Sequence, residues 1–272
     1  MNRWLPLTFT VLFGAGMGSG CHTDIGQPEF GCTHVQKPEA GVDTAVVRIE
    51  RTTTPLVLPP LTELLGHVNP SKDTTFAELP ARVASRAGLF LRKEAHDAFI
   101  RMFDAAQKDG VTLTALSATR PFSHQASIWN RKWKRPQAMG MAPLVRARHI
   151  LKYSSMPGTS RHHWGTDVDI HSLEPADFEQ GEGAKVVAWL RRHAGTFGFV
   201  EVYTADDARP GYQPEAWHWS FLPLSGPFLN AINEARDLGK LPPLEGFEGA
   251  YVADSLHVFR DYVNGINASL VD

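Results

Sequence analysis

A basic excess, long apolar runs and cysteines are all scarce in this chain, and each shortage removes a class of function. Among 272 residues, 27 Lys and Arg face 29 Asp and Glu, for a formal charge of −2. No surplus of cations is available to neutralise a phosphate backbone, so nucleic acid is not an expected partner. The apolar stretch from Trp4 to Phe13 is too short to cross a bilayer as a permanent helix. No Ser-x-x-Lys occurs, and no His-Glu-x-x-His; the first absence argues against one class of active-site serine hydrolase and the second against a helical zinc site. Gly158-Thr-Ser160-Arg-His162 distantly suggests a serine nucleophile elbow, but His162 stands where the sharp turn needs its closing glycine. No internal repeat is visible.

The N-terminus reads as an export signal. Arg3 precedes the apolar stretch, and a run of small residues from Gly14 to Gly20 leads to Cys21. Gly18-Ser19-Gly20-Cys21 resembles the lipobox of bacterial lipoproteins, with Gly18 where that motif usually has Leu. The favoured reading is a lipidated Cys21 with Cys32 left as a lone thiol; the other is a small Cys21–Cys32 disulfide loop in an oxidising compartment. The expected layout is a signal peptide over 1–20, a tether or irregular segment over 21–60, and a catalytic domain with C-terminal helices over 61–272. The chain is expected in the periplasm or cell envelope, monomeric, touching membrane only through Cys21.

Composition is otherwise that of a globular protein, 43% hydrophobic and 21% charged. Ala95, Ala98, Phe99, Met102, Phe103 and Ala106 recur at helical spacing, with Gly110 placed to end the helix. Residues 111–116 alternate as a strand does. Ser123 is placed to cap a second helix carrying Ile128, Trp129 and Trp133. Val168-Asp169-Ile170 and Trp217 to Phe221 read as strands, Phe197 to Val200 as extended. Helices are predicted over 184–194, around 228–238 and over 256–263. Helices and strands mix without a strict βαβ rhythm, which predicts an α+β fold with a small, largely antiparallel sheet surrounded by helices and carrying the site.

Twelve histidines are many for this length, and two of them sit in informative company. His162 and Asp169 lie seven apart across Gly165, and His218 arrives 49 residues after Asp169 with Glu215 three positions before it. Two imidazoles and a carboxylate suit one zinc ion with a fourth position open to water. Glu215 can then take a proton from that water and return it to a leaving amine. Arg120, where a strand should end and a helix begin, is placed to clamp a carboxylate or steady an oxyanion. Ser160 can add a hydrogen bond to the substrate end. Asp167 shares a strand face with Asp169 and is either a rival ligand or a partner orienting a histidine; His163 likewise competes with His162. Trp164, Trp217 and Trp219 read as packing, and Arg131 to Arg135 as a solvated face.

Ser160-x-His162-x-x-Gly165-x-x-x-Asp169 followed by Glu215-x-Trp217-His218-Trp219 resembles the zinc peptidases that include the vancomycin-resistance D,D-carboxypeptidases and the D-Ala-D-Ala dipeptidases. The wider group holds the lysostaphin-type endopeptidases and the hedgehog signalling domain. The likeness extends upstream to Ser117-x-x-Arg120 with Gln125 and covers about Leu64 to Pro223. It implies zinc on His162, Asp169 and His218, Glu215 as general base, and Arg120 on a peptidoglycan stem peptide, with Ser160, Gln125 and Ser117 as further substrate contacts. The expected reaction is release of the terminal D-alanine. L,D-carboxypeptidase, dipeptidase or cross-link endopeptidase action on the same site are alternatives, as is a non-catalytic, hedgehog-like binding module. Relatives often have a small residue where this chain has Asp167.

Overall fold

Six short strands and seven helices carry the chain from residue 56 to residue 270 in the computed structural model, which describes residues 56–205 and 208–270. The expected signal peptide, Cys21, Cys32 and most of the expected tether lie outside the described residues. Helix α1 (Leu61–Leu64) leads to a hairpin of β1 (Phe76–Glu78) and β2 (Phe90–Arg92). Helix α2 (Lys93–Lys108) follows, burying Ala95, Ala98, Phe99, Met102, Phe103 and Ala106, the stripe that the spacing predicted. Gly110, at φ 74°, turns the chain out of the helix.

The central sheet holds β3 (Ala115–Ser117), β4 (Asp167–Ile170), β6 (His218–Phe221) and β5 (Phe199–Glu201) in the order β3-β4-β6-β5, every pair antiparallel. Helices α3 (Phe122–Trp133), α4 (Pro136–Met139) and α5 (Pro143–Ile150) fill the connection from β3 to β4; α6 (Gly181–His193) precedes β5, and α7 (Leu222–Asp237) leaves β6 directly. The α+β architecture with a small antiparallel sheet is as the sequence predicted.

Local departures have local causes. Ser123 lies inside α3; Pro121, with φ −59° and ψ 157°, holds the capping position instead, and no side chain caps the helix. Residues 256–263 form no regular helix: His257 takes φ 48° and separates a 3₁₀ turn at Asp254–Leu256 from a π turn at Phe259–Val263. The final long helix begins at Leu222, earlier than predicted, with Pro223 in its first turn where a missing N–H costs nothing.

Every β4 and β6 side chain is buried. Sequence neighbours therefore point into opposite faces that are both covered, one by core and one by the site. Val168, Ile170, Trp219 and Phe221 join the main hydrophobic core with Phe99, Trp129 and Trp164. Asp167, Asp169, His218 and Ser220 occupy the other set of positions. No helix among the described residues is long and apolar enough to cross a membrane.

Candidate metal centre

Strand register brings the first two site residues together. Asp169 stands directly opposite His218 across the β4–β6 ladder, and Asp167 opposite Ser220; facing Cβ atoms in such pairs are about 5 Å apart. His162 reaches the same spot from a 3₁₀ turn, Arg161–Trp164, that ends at Gly165 with φ 74°. A Cβ on Gly165 would fall 2.4 Å from Phe76 Cε1, so both the left-handed backbone and the close packing demand glycine. Ligand atoms of His162, Asp169 and His218 all lie within 4.8 Å of one another, and all three residues are buried.

Hydrogen bonds orient both imidazoles for a metal. His162 Nδ1 sits 2.8 Å from the Ala118 carbonyl oxygen, to which it donates. Its Nε2 then carries a lone pair, is buried without a hydrogen-bond partner, and lies 3.2 Å from Asp169 Oδ2. His218 Nε2 donates to Asp167 Oδ1 at 2.9 Å, which leaves Nδ1 facing Asp169 Oδ1 at 3.1 Å. An orphaned imidazole nitrogen, a second one turned inward and a carboxylate between them form the donor set that zinc takes.

Asp167 is thus no rival ligand. It is fully buried, receives Arg161 Nε at 3.1 Å, and accepts hydroxyl hydrogen bonds from Thr166 at 2.5 Å and Ser220 at 3.0 Å. Burial works against its ionisation, but Arg161 and the bond from His218 hold its carboxyl well below the usual range. A carboxylate behind a metal-binding imidazole fixes tautomer and ring angle. Asp167→Asn is expected to weaken zinc binding about ten- to a hundredfold, read by competition against a chromophoric chelator; unchanged affinity would contradict the orienting role.

His163 is no rival either. Nδ1 donates to the Arg120 carbonyl oxygen at 2.6 Å, and Nε2 accepts the Gly158 N–H at 3.0 Å. Both nitrogens are satisfied in the neutral ring, and burial pushes its pKa down to about 3. The unfolded chain, with a histidine pKa of about 6.5, therefore binds more protons below that pH. Stability from the neutral His163 is full above pH ~6.5 and falls by roughly 1.4 kcal/mol per unit as pH drops toward 3. In urea titrations of the metal-free protein between pH 6.5 and 5, His163→Gln should show a shallower pH slope than wild type; equal slopes would refute this.

Glu215 is buried, with Oε2 3.9 Å from His218 Nδ1 and its N–H donated to the Tyr203 carbonyl oxygen at 3.0 Å. Burial pushes its carboxyl up to about 8, with His218 opposing and Asp169 reinforcing the shift. A carboxyl tuned near neutrality suits proton transfer. Arg120 directs Nη2 toward Asp169 Oδ2 at 3.7 Å and donates from Nη1 to Gln125 Oε1 at 3.1 Å.

A cavity of about 460 Å³ opens onto this cluster, lined by Arg120, Ser160, His162, Asp169, Glu215 and His218 among others. The Ser160 hydroxyl is buried there without a partner. Gln125 does not reach the cavity wall. It is fully buried behind Arg120, donating to the Ser155 carbonyl oxygen at 2.7 Å, and so positions the guanidinium without touching a ligand itself. Ser117 lies opposite Asp169 in the β3–β4 ladder, also outside the cavity lining. Trp164 and Trp219 are core residues, whereas Trp217 packs on Phe178 and Val187 and also borders the cavity. Arg131, Lys132 and Arg135, which the sequence left as a solvated face, line the cavity too. Only the helical phase they share with Gln125 and Ile128 hinted at this.

Residues 88–224, half of the chain, match the VanY family of D-alanyl-D-alanine carboxypeptidases. The chain is 31% identical over 122 residues to a D-alanyl-D-alanine carboxypeptidase of Enterococcus faecalis, covering 44% of each. It is 31% identical over 137 residues to the YodJ protein of Bacillus subtilis, covering 49% of this chain and 46% of that one. The chain thus spans less than half the length of the curated relatives it matches. A solved structure of VanYB in complex with D-alanine-D-alanine is similar at 23% identity and a TM-score of 0.46, over 62% of this chain and 92% of that one. Every residue of the cluster, with Arg120 and Glu215, falls inside the matched span, and the chain belongs to the VanY D-alanyl-D-alanine carboxypeptidase family.

Proposed function

We propose that this chain is a zinc-dependent D-alanyl-D-alanine carboxypeptidase acting on peptidoglycan stem peptides. The observation that carries the reading is the buried His162–Asp169–His218 cluster at the floor of a cavity with Glu215 beside it. Zinc, when bound, supplies a Lewis acid that polarises a peptide carbonyl and acidifies a water. Glu215 would take a proton from the attacking water at its carboxylate and deliver it to the nitrogen of the departing D-alanine. Arg120, braced by Gln125, faces the carbonyl oxygen as it gains charge or the terminal carboxylate. Ser160 offers its unpartnered hydroxyl to the same end of the substrate. Ala118 and Asp167 hold the His162 and His218 rings with Nε2 of the first and Nδ1 of the second turned onto the cluster. The same reading puts the chain in the cell envelope, held there by a lipidated Cys21.

A pure binding module needs no buried proton acceptor beside its ligand set, which favours hydrolysis over the non-catalytic alternative. The bond cut is tested by mass spectrometry of three substrates offered in parallel: a stem pentapeptide, a stem tetrapeptide and the free D-Ala-D-Ala dipeptide. Loss of one alanine from the pentapeptide alone is the expected result. Cleavage confined to the tetrapeptide or the dipeptide would replace the D,D-carboxypeptidase reading with L,D-carboxypeptidase or dipeptidase action.

A further inference from the structure

The cavity has a cationic arm that zinc chemistry does not use. Gln125, Ile128 and Lys132 fall on one face of α3 at spacings of three and four. Ile128, Arg131, Lys132 and, just beyond the helix, Arg135 line the cavity that holds the metal cluster. A second cavity, of about 270 Å³, shares Lys132, Arg135 and Tyr153 as walls and adds His149. No acid borders that second cavity, while the first has only Asp169 and Glu215 of the cluster and the exposed Glu174.

Cations near a helix C-terminus ordinarily need no explanation, since they complement the backbone dipole and stay in water. Two features set these apart. Lys134, their sequence neighbour, pairs with Glu248 at 3.2 Å, whereas Arg131, Lys132 and Arg135 form no ion pair among the described residues. Lys132 is also half-buried, its ammonium resting on the Ser154 hydroxyl, and burial lowers its pKa. A desolvated cation without a carboxylate is destabilising, and a carboxylate brought by a ligand would offset that cost.

The helix gives the spacing. Seven residues separate Gln125, which braces Arg120, from Lys132, or about 10 Å along the axis. That is about three residues of extended peptide. Resting on the proposed function, we infer that Lys132 and Arg135 form a subsite for a free carboxylate carried on the third residue counted from the substrate's C-terminal end. The substrate class is accordingly narrowed to stem peptides whose third residue is a diamino acid with an unblocked second carboxylate.

The test uses two pentapeptides ending in D-Ala-D-Ala, with meso-diaminopimelate at the third position, that differ only in whether its second carboxylate is free or amidated. Calorimetry on zinc-loaded Glu215→Gln protein should give a Kd about tenfold lower for the free acid. Lys132→Gln combined with Arg135→Gln should bring the two peptides to the same Kd, and in wild type the difference should appear in KM and not in kcat. Equal Kd values on the Glu215→Gln protein, or a preference that survives both substitutions, would overturn the subsite. Release of D-alanine from both peptides at equal KM would leave the carboxypeptidase reading intact and reject the subsite. Preferential binding of the free acid without release by wild type would do the reverse.

Discussion

Exchange of Glu215 for Gln should lower kcat by two to four orders of magnitude while the protein retains one zinc per chain. The amide keeps the volume of the carboxyl, so the buried turn that ties residue 215 to Tyr203 and leads into β6 is preserved. An amide cannot accept the proton of an attacking water at neutral pH. Asp169 is committed to the two imidazoles, and burial pushes the Tyr203 hydroxyl well above its ordinary pKa. Steady-state release of D-alanine and metal analysis on the same preparation check both halves. A zinc-loaded Glu215→Gln protein with near wild-type turnover would remove the assignment of the base.

His218→Ala should be more damaging because it breaks two arrangements together. The zinc site loses one of three ligands, and Asp167 and Asp169 lose the imidazole that lies between them, leaving Arg161 on Asp167 and the more distant Arg120 on Asp169 as their guanidinium partners. Removing one partner of a buried charge pair typically costs about 3 kcal/mol or more. The expected result is loss of zinc and turnover together, with a lower melting temperature than metal-free wild type. Full metal occupancy in this variant would exclude His218 as a ligand.

The site was more legible in the sequence than the walls around it. Alternation over Asp167 to Ile170 and His218 to Phe221 fixes which side chains share a face, and a two-residue period leaves no latitude once one face is buried. Asp169 and His218 were therefore both legible as facing the site, while the register that pairs them came only from the structure. Helix α2 was legible for the analogous reason, a long apolar stripe of period 3.6. The β1–β2 hairpin was not, because strands of three residues carry too few positions to display alternation. Asp167 shows why composition cannot assign a partner. As a residue type it suits ligand and supporting roles equally, and only the Arg161, Thr166 and Ser220 bonds around its carboxylate decide. Within the basic run from Arg131 to Arg135, which is exposed at Arg131, Lys134 and Arg135 as a solvated face should be, half-buried Lys132 was not legible for a related reason. A lysine facing solvent and one facing a cavity have the same local sequence, and the segment that closes the cavity opposite Lys132, around Ser154, is distant along the chain.

On the proposed function, the three-ligand cluster works as a metal centre for peptide hydrolysis. Its most direct test is release of D-alanine from a stem pentapeptide ending in D-Ala-D-Ala, measured before zinc chelation, after it, and after zinc is restored. Release that stops with chelator and returns with stoichiometric zinc is the predicted result. Release that continues unchanged in metal-free protein, or no release from folded protein holding one zinc, would contradict it.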